Sequence, residues 1–79
     1  MNAAGVMVEV FRTNVTDRSQ ANWIIDRIQN TFQDYRASFD LEDCDRILVV
    51  RCNTENVKSS LVIGLLQDCD FIAEVLPDA

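Results

Sequence analysis

An α+β sandwich, with four antiparallel strands and two helices on one sheet face, is the fold class that this 79-residue sequence predicts. Three observations predict it. Stretches of strand and helix periodicity follow one another in the order β-α-β-β-α-β. The central stretch "DYRASFDL" alternates apolar and polar residues without a break, as a strand with one covered face does. Both βαβ halves need right-handed crossovers, and the simplest arrangement that provides them is the ferredoxin-like one.

The elements follow in order. "GVMVEVFR", residues 5–12, is rich in Val and Phe and reads as the first strand, behind a tail at 1–5. Residues 13–19 form a loop of turn and cap residues. A helix is expected from Asp17 or Ser19 to about Phe32, because Ala21, Ile24, Ile25, Ile28 and Phe32 recur at helical spacing. In "DYRASFDL", Tyr35, Ala37, Phe39 and Leu41 share one side, and Arg36, Ser38 and Asp40 the other. "EDCD" is a turn, and "RILVVRC" returns as the other half of a hairpin. Asn53 or Thr54 is expected to cap a second helix from about Glu55 to Gln67, with Val57, Leu61, Val62, Leu65 and Leu66 on its apolar face. "FIAEVL" reads as the last strand, closed by Pro77. No linker, repeat or low-complexity segment divides residues 1–79, so one domain is expected.

Composition removes several function classes. The net charge of −6 repels phosphate backbones and anionic membranes, so neither nucleic acid nor membrane is expected as a partner. "RILVVRC" also lacks the aromatic residues with which RNA-recognition sheets stack bases. No histidine is present, which removes the commonest general base and zinc ligand. No Ser-His-Asp, Cys-His or paired-acid set can be assembled, so the chain reads as non-enzymatic, with no catalytic residue and no cofactor. Cys44, Cys52 and Cys69 are odd in number and widely spaced, which fits reduced thiols in a cytoplasmic setting better than a disulfide framework. "MNAAG" has no secretory n-region, and no apolar run approaches the roughly 18 residues of a membrane span.

Over residues 6–76 the pattern resembles the heavy-metal-associated domain of copper chaperones and metal-pumping ATPases. In that family a G-M-T-C-x-x-C loop joins the first strand to the first helix and grips Cu(I) through two thiolates. Here Asn14, Val15 and Thr16 stand at the Gly, Met and Thr positions, and Asp17 and Gln20 at the two cysteine positions. Ala21, Ile24 and Ile28, then Ala37, Phe39 and Leu41, then Val62, Leu66 and Phe71 match the family's core, and "FRTNV" is similar to the "F-K-T-N-V" opening of bacterial members. The resemblance implies the fold but not the metal. A carboxylate and an amide do not suit a soft cation. No Cu(I) or Zn(II) is therefore expected at the loop, and Asp17 is expected to cap the helix with its side chain.

The remaining candidates are for interaction. At roughly 100° per residue Trp23 lies about 160° from its helix's apolar stripe, beside Arg27, so it either anchors a partner or lies over the arginine stem. Ile63 points away from the second helix's apolar arc. If Val8, Val10, Leu48, Val50, Phe71, Ala73 and Val75 face the helices, the open sheet face carries Met7, Phe11, Ile47, Val49, Ile72 and Leu76, with Glu9, Arg36, Asp40, Arg51 and Glu74 among them. Such a half-apolar face suits an unknown protein partner or a weak homodimer, and equally a solvated sheet. The acidic run Leu41-Glu42-Asp43-Cys44-Asp45 reads as a solvated turn rather than a cation cage. Two functions follow: an interaction module that keeps a metal-chaperone fold without its metal, or metal handling by other ligands, such as Asp17 or cysteines bridging two chains.

Overall fold

The computed structural model describes residues 6–76. The elements are β1 (Met7–Thr13), α1 (Arg18–Thr31), β2 (Tyr35–Asp40), β3 (Ile47–Cys52), α2 (Ser59–Asp68) and β4 (Ala73–Val75). The strands form one sheet in the order β2-β3-β1-β4, and each neighbouring pair is antiparallel. This is the ferredoxin-like layout that the element order predicts. The tail at 1–5 and Pro77 lie outside the described residues.

One core joins one sheet face to both helices. Phe11, Phe39, Leu48, Val50 and Ala73 from the sheet cluster with Ala21, Ile24 and Ile28 of α1 and with Val62, Leu65 and Leu66 of α2. β2 follows its alternation: Tyr35 and Phe39 are buried, and Arg36, Ser38 and Asp40 are exposed.

β1 sits in the opposite parity to the one expected. Phe11 is fully buried and lies opposite Leu48, which itself lies opposite Phe39 on the helix-covered face. Glu9 shares that face, opposite Val50. Val8, Val10 and Arg12 therefore take the open face, and Phe11 is not an interaction residue. The expectation set Val8 and Val10 toward the helices and Met7 and Phe11 on the open side. The larger apolar surface of Phe, together with a hydrogen-bonded burial for Thr13, decides otherwise.

α2 begins four residues later than expected, at Ser59 rather than Glu55. Thr54 does not cap it: its hydroxyl lies 3.3 Å from Cys52 Sγ and 3.4 Å from Asp34 Oδ2. Val57 is buried ahead of the helix, and the Lys58 N–H donates to the Tyr35 hydroxyl at 2.8 Å. Those two attachments hold the segment extended, with Lys58 at φ −88° and ψ 93°. In the shortened helix Ile63 is half-buried against the core, whereas Leu61 is 47% exposed. The expected roles of these two residues are thus exchanged. At its C-terminus, Asp70 N–H bonds Gln67 O and Phe71 N–H bonds Leu66 O, with Asp70 left-handed at φ 68°. That is a Schellman cap with aspartate in the place usually held by glycine. It turns the chain at once, and "FIAEVL" contributes only three residues to the sheet.

The parity of β1 has a direct check. Phe11→Ala should lower unfolding stability by about 3–5 kcal/mol, while Val8→Ala, 48% exposed on the opposite face, should stay within about 0.5 kcal/mol. Urea melts of the two variants measure both.

Candidate functional site

The loop that joins β1 to α1 binds its own protein. Thr13, at the end of β1, is 8% exposed, and its hydroxyl donates to Arg46 O at 2.6 Å and accepts the Val15 N–H at 3.2 Å. The Thr13 N–H donates to Asp45 O at 3.1 Å. One residue on, the Asn14 side-chain oxygen accepts the Ile72 N–H at 2.9 Å, and the Asn14 N–H donates to Ile72 O at 3.3 Å. Val15 is fully buried in the core. Residues 13–15 thus tie down the β2–β3 hairpin and the α2–β4 connection, all at one end of the sheet.

Asp17 occupies the N-cap position of α1 with extended backbone, but its carboxylate accepts no backbone N–H. It takes the Ser19 hydroxyl instead, at 2.6 Å. The expected side-chain cap is therefore absent, because a nearer hydroxyl satisfies that oxygen. Gln20 is exposed.

The hairpin is the one place among the described residues where three potential metal ligands gather. The donor atoms of Asp43, Cys44 and Asp45 lie within 4.8 Å of one another. All three come from a single turn, and Asp43 Oδ1 already accepts the Asp45 N–H at 2.8 Å. Cys44 is exposed, Cys69 half-buried and Cys52 buried, and all three are free thiols. Hydrogen bonding by Thr54, through side chain and backbone, holds the Cys52 thiol below its ordinary pKa; its burial keeps it from acting as an accessible nucleophile.

The open sheet face is built in rows of paired residues. Val8, Arg51 and Arg36 form one row; Val10, Val49 and Ser38 the next; Arg12, Ile47 and Asp40 the third. Glu74 of β4 flanks Arg12 and pairs with it at 2.9 Å. Ile47 and Val49 lie on this face as expected, and Val8, Val10 and Arg12 replace Met7, Phe11 and Glu9. The alternation of β1 alone could not choose between its two parities. The cross-strand pairing with β3 does.

The helical surface carries a second apolar feature. Trp23 is 50% exposed, and the Arg27 guanidinium lies over its ring, 5.5 Å from the centroid. Of the two descriptions expected of Trp23, the stacking with Arg27 is the one observed, and it contributes about 0.5–1 kcal/mol at an exposed site. Arg27 also borders an open groove between α1 and α2 of about 410 Å³, lined in part by Leu61, Gly64 and Leu65. Ile63 is not part of its lining. Periodicity placed Leu61 among the core residues and so missed this groove.

No family model, curated protein or solved structure matches the chain.

Gly64 lies inside α2, and a Cβ built there meets no heavy atom within 4 Å. Helix propensity then acts without opposition, so Gly64→Ala should stabilise the domain by about 0.5–1 kcal/mol. A thermal melt reads this as a raised midpoint. A lowered midpoint would mean that something occupies the groove.

Proposed function

We propose that the chain is a non-enzymatic protein-interaction module, a metal-chaperone-like fold without the metal, and that it docks through its open sheet face onto a second copy of itself. The observation that carries this reading is the order of residues on that face. An apolar centre of Val8, Val10, Ile47 and Val49 is flanked by Arg36 and Arg51 at one end and by Asp40 and Glu74 at the other. A two-fold axis lying between two such faces, across the strands at the Val10–Val49–Ser38 row, reverses strand direction. It brings Arg36 of each copy over Asp40 of the other and stacks the valines at the centre. An isologous contact needs this self-complementarity. Two sheets meeting face to face would bury the valines at about 10 Å separation. A reducing, cytoplasmic setting belongs to the same reading, supported by the odd number of cysteines.

A second reading, metal handling by other ligands, is favoured by the grouping of Asp43, Cys44 and Asp45. Two copies would have to share an ion for it to gain enough ligands, since one exposed turn supplies three donors with mixed hardness.

Sedimentation over micromolar to millimolar concentrations tests the first reading. Reversible dimerisation, weakened by added salt and abolished by Val49→Lys in a folded variant, is the expected result. A monomer throughout that range removes self-association. A dimer that Val49→Lys leaves intact but that requires added Zn(II) favours the hairpin reading instead.

The loop's ancestry has its own test. Asp17→Cys with Gln20→Cys should let the domain compete with a Cu(I) chelator under reducing conditions, where the parent chain does not. A folded double variant that fails to compete would reduce the family resemblance to the fold.

A further inference from the structure

We infer that the cleft at the Arg36–Arg51 end of the domain is a binding site for a phosphate-sized oxyanion. Arg36 on β2 and Arg51 on β3 occupy directly opposed positions. Like charges so placed destabilise a sheet. Neither arginine has a carboxylate partner among the described residues, where Arg12–Glu74 is the ion pair. The chain carries 13 acidic side chains against 7 basic ones, so carboxylates to pair with them are not scarce. Two unpaired guanidinium groups have instead been set side by side.

They border a cleft of about 270 Å³ whose wall also includes Gln33, Asp34 and Asn53. Arg36 is aimed there by its backbone contacts. Its Nη1 donates to Gln33 O at 3.0 Å and to Tyr35 O at 2.9 Å. Those two bonds use both Nη1 hydrogens and leave the Nε–Nη2 edge free, the edge that grips carboxylate or phosphate with two parallel bonds. The Arg51 side chain makes no hydrogen bond or ion pair to another described residue, so its five donors remain available. The Asn53 amide supplies further donors at the rim. Asp34 is the carboxylate on the wall, and its Oδ2 accepts from the Thr54 hydroxyl at 3.4 Å. With two cations against one anion, the cleft is locally positive in an acidic protein. An oxyanion bridging Arg36 and Arg51 would turn their mutual repulsion into two charge-assisted contacts. A tetrahedral dianion suits two arginines that line one cleft better than a monocarboxylate does, which one arginine satisfies alone.

This inference shares Arg36 with the association reading but does not depend on it, and its experiment is run on dilute, monomeric protein so that either can fail alone. Inorganic phosphate is titrated into the labelled chain while backbone amide resonances are followed, with sodium chloride at matched ionic strength as the reference. Saturable shifts at Arg36, Arg51 and Asn53 are expected, with a dissociation constant of about 1 mM or tighter. Arg51→Gln and Arg36→Gln should each weaken binding about tenfold or more, whereas Arg12→Gln, at the other end of the face, should leave it unchanged. Acetate should not saturate. Three results would overturn the inference: equal shifts with chloride, which mark screening alone; phosphate binding that survives Arg51→Gln; or acetate binding as tightly as phosphate.

Discussion

The buried hydroxyl of Thr13 is the contact on which the architecture of this small domain turns. It gives its hydrogen to Arg46 O and receives the Val15 N–H, while the backbone N–H of the same residue reaches Asp45 O. Arg46 is left-handed at φ 49°, a conformation that costs a residue with a Cβ about 1–2 kcal/mol. It persists because Thr13 fixes its carbonyl from one side and its own guanidinium holds Leu41 O from the other. Asn14 then fastens the start of β4 through Ile72, and Val15 fills the core beneath. Three adjacent residues thus position the β2–β3 hairpin and the α2–β4 connection and fill the core between them. A valine in place of Thr13 would keep the volume and lose all of the hydroxyl's bonds, stranding buried polar groups at about 1–3 kcal/mol.

Strong periodic signals were readable from the sequence, and choices between equal alternatives were not. The unbroken alternation of "DYRASFDL" and the Ala21–Ile24–Ile28 stripe each had one solution, and both were realised. β1 offered Val8 and Val10 on one face against Phe11 on the other, and only pairing with β3 decided between them. α2 failed at its start because Thr54 and Tyr35, residues 19 positions apart, settle how residues 53–58 run. No local rule sees a phenol accepting a bond from a backbone that distant. Asp17 was expected to cap α1, but the choice of Ser19 as its partner lies below the reach of propensity. On the surface, Trp23 and Val49 were found by helical angle and strand parity, whereas the opposed arginines became visible only once β2 and β3 were in register.

Both edges of the sheet are guarded, in contrast to its open face. β2 is an outer strand, but α1 reaches over it, and the Gln29 side-chain oxygen accepts the Ala37 N–H at 3.1 Å. β4, the other outer strand, is only three residues long and carries the Arg12–Glu74 pair. Short strands and charges are common ways to discourage edge pairing. With both helices packed on the opposite side, the valine rows have no covering element among the described residues.

Strand order carries a consequence for how the chain acquires its structure. β1 is made before the other three strands, yet it lies inside the sheet, between partners formed by residues 47–52 and 73–75. Its sequence, "MVEVFRT", is apolar enough to pair with a stranger while it waits. The β2–β3 hairpin and α1 are neighbours in sequence, so their contacts close shorter loops than the pairing of β1 with β3 and β4 does. The last turn of α2 and the short β4 arrive afterwards and close the remaining side. A nascent chain stalled before residue 70 would carry β1 with one flank open, which makes the closing segment a guard against misassembly as much as a part of the finished fold.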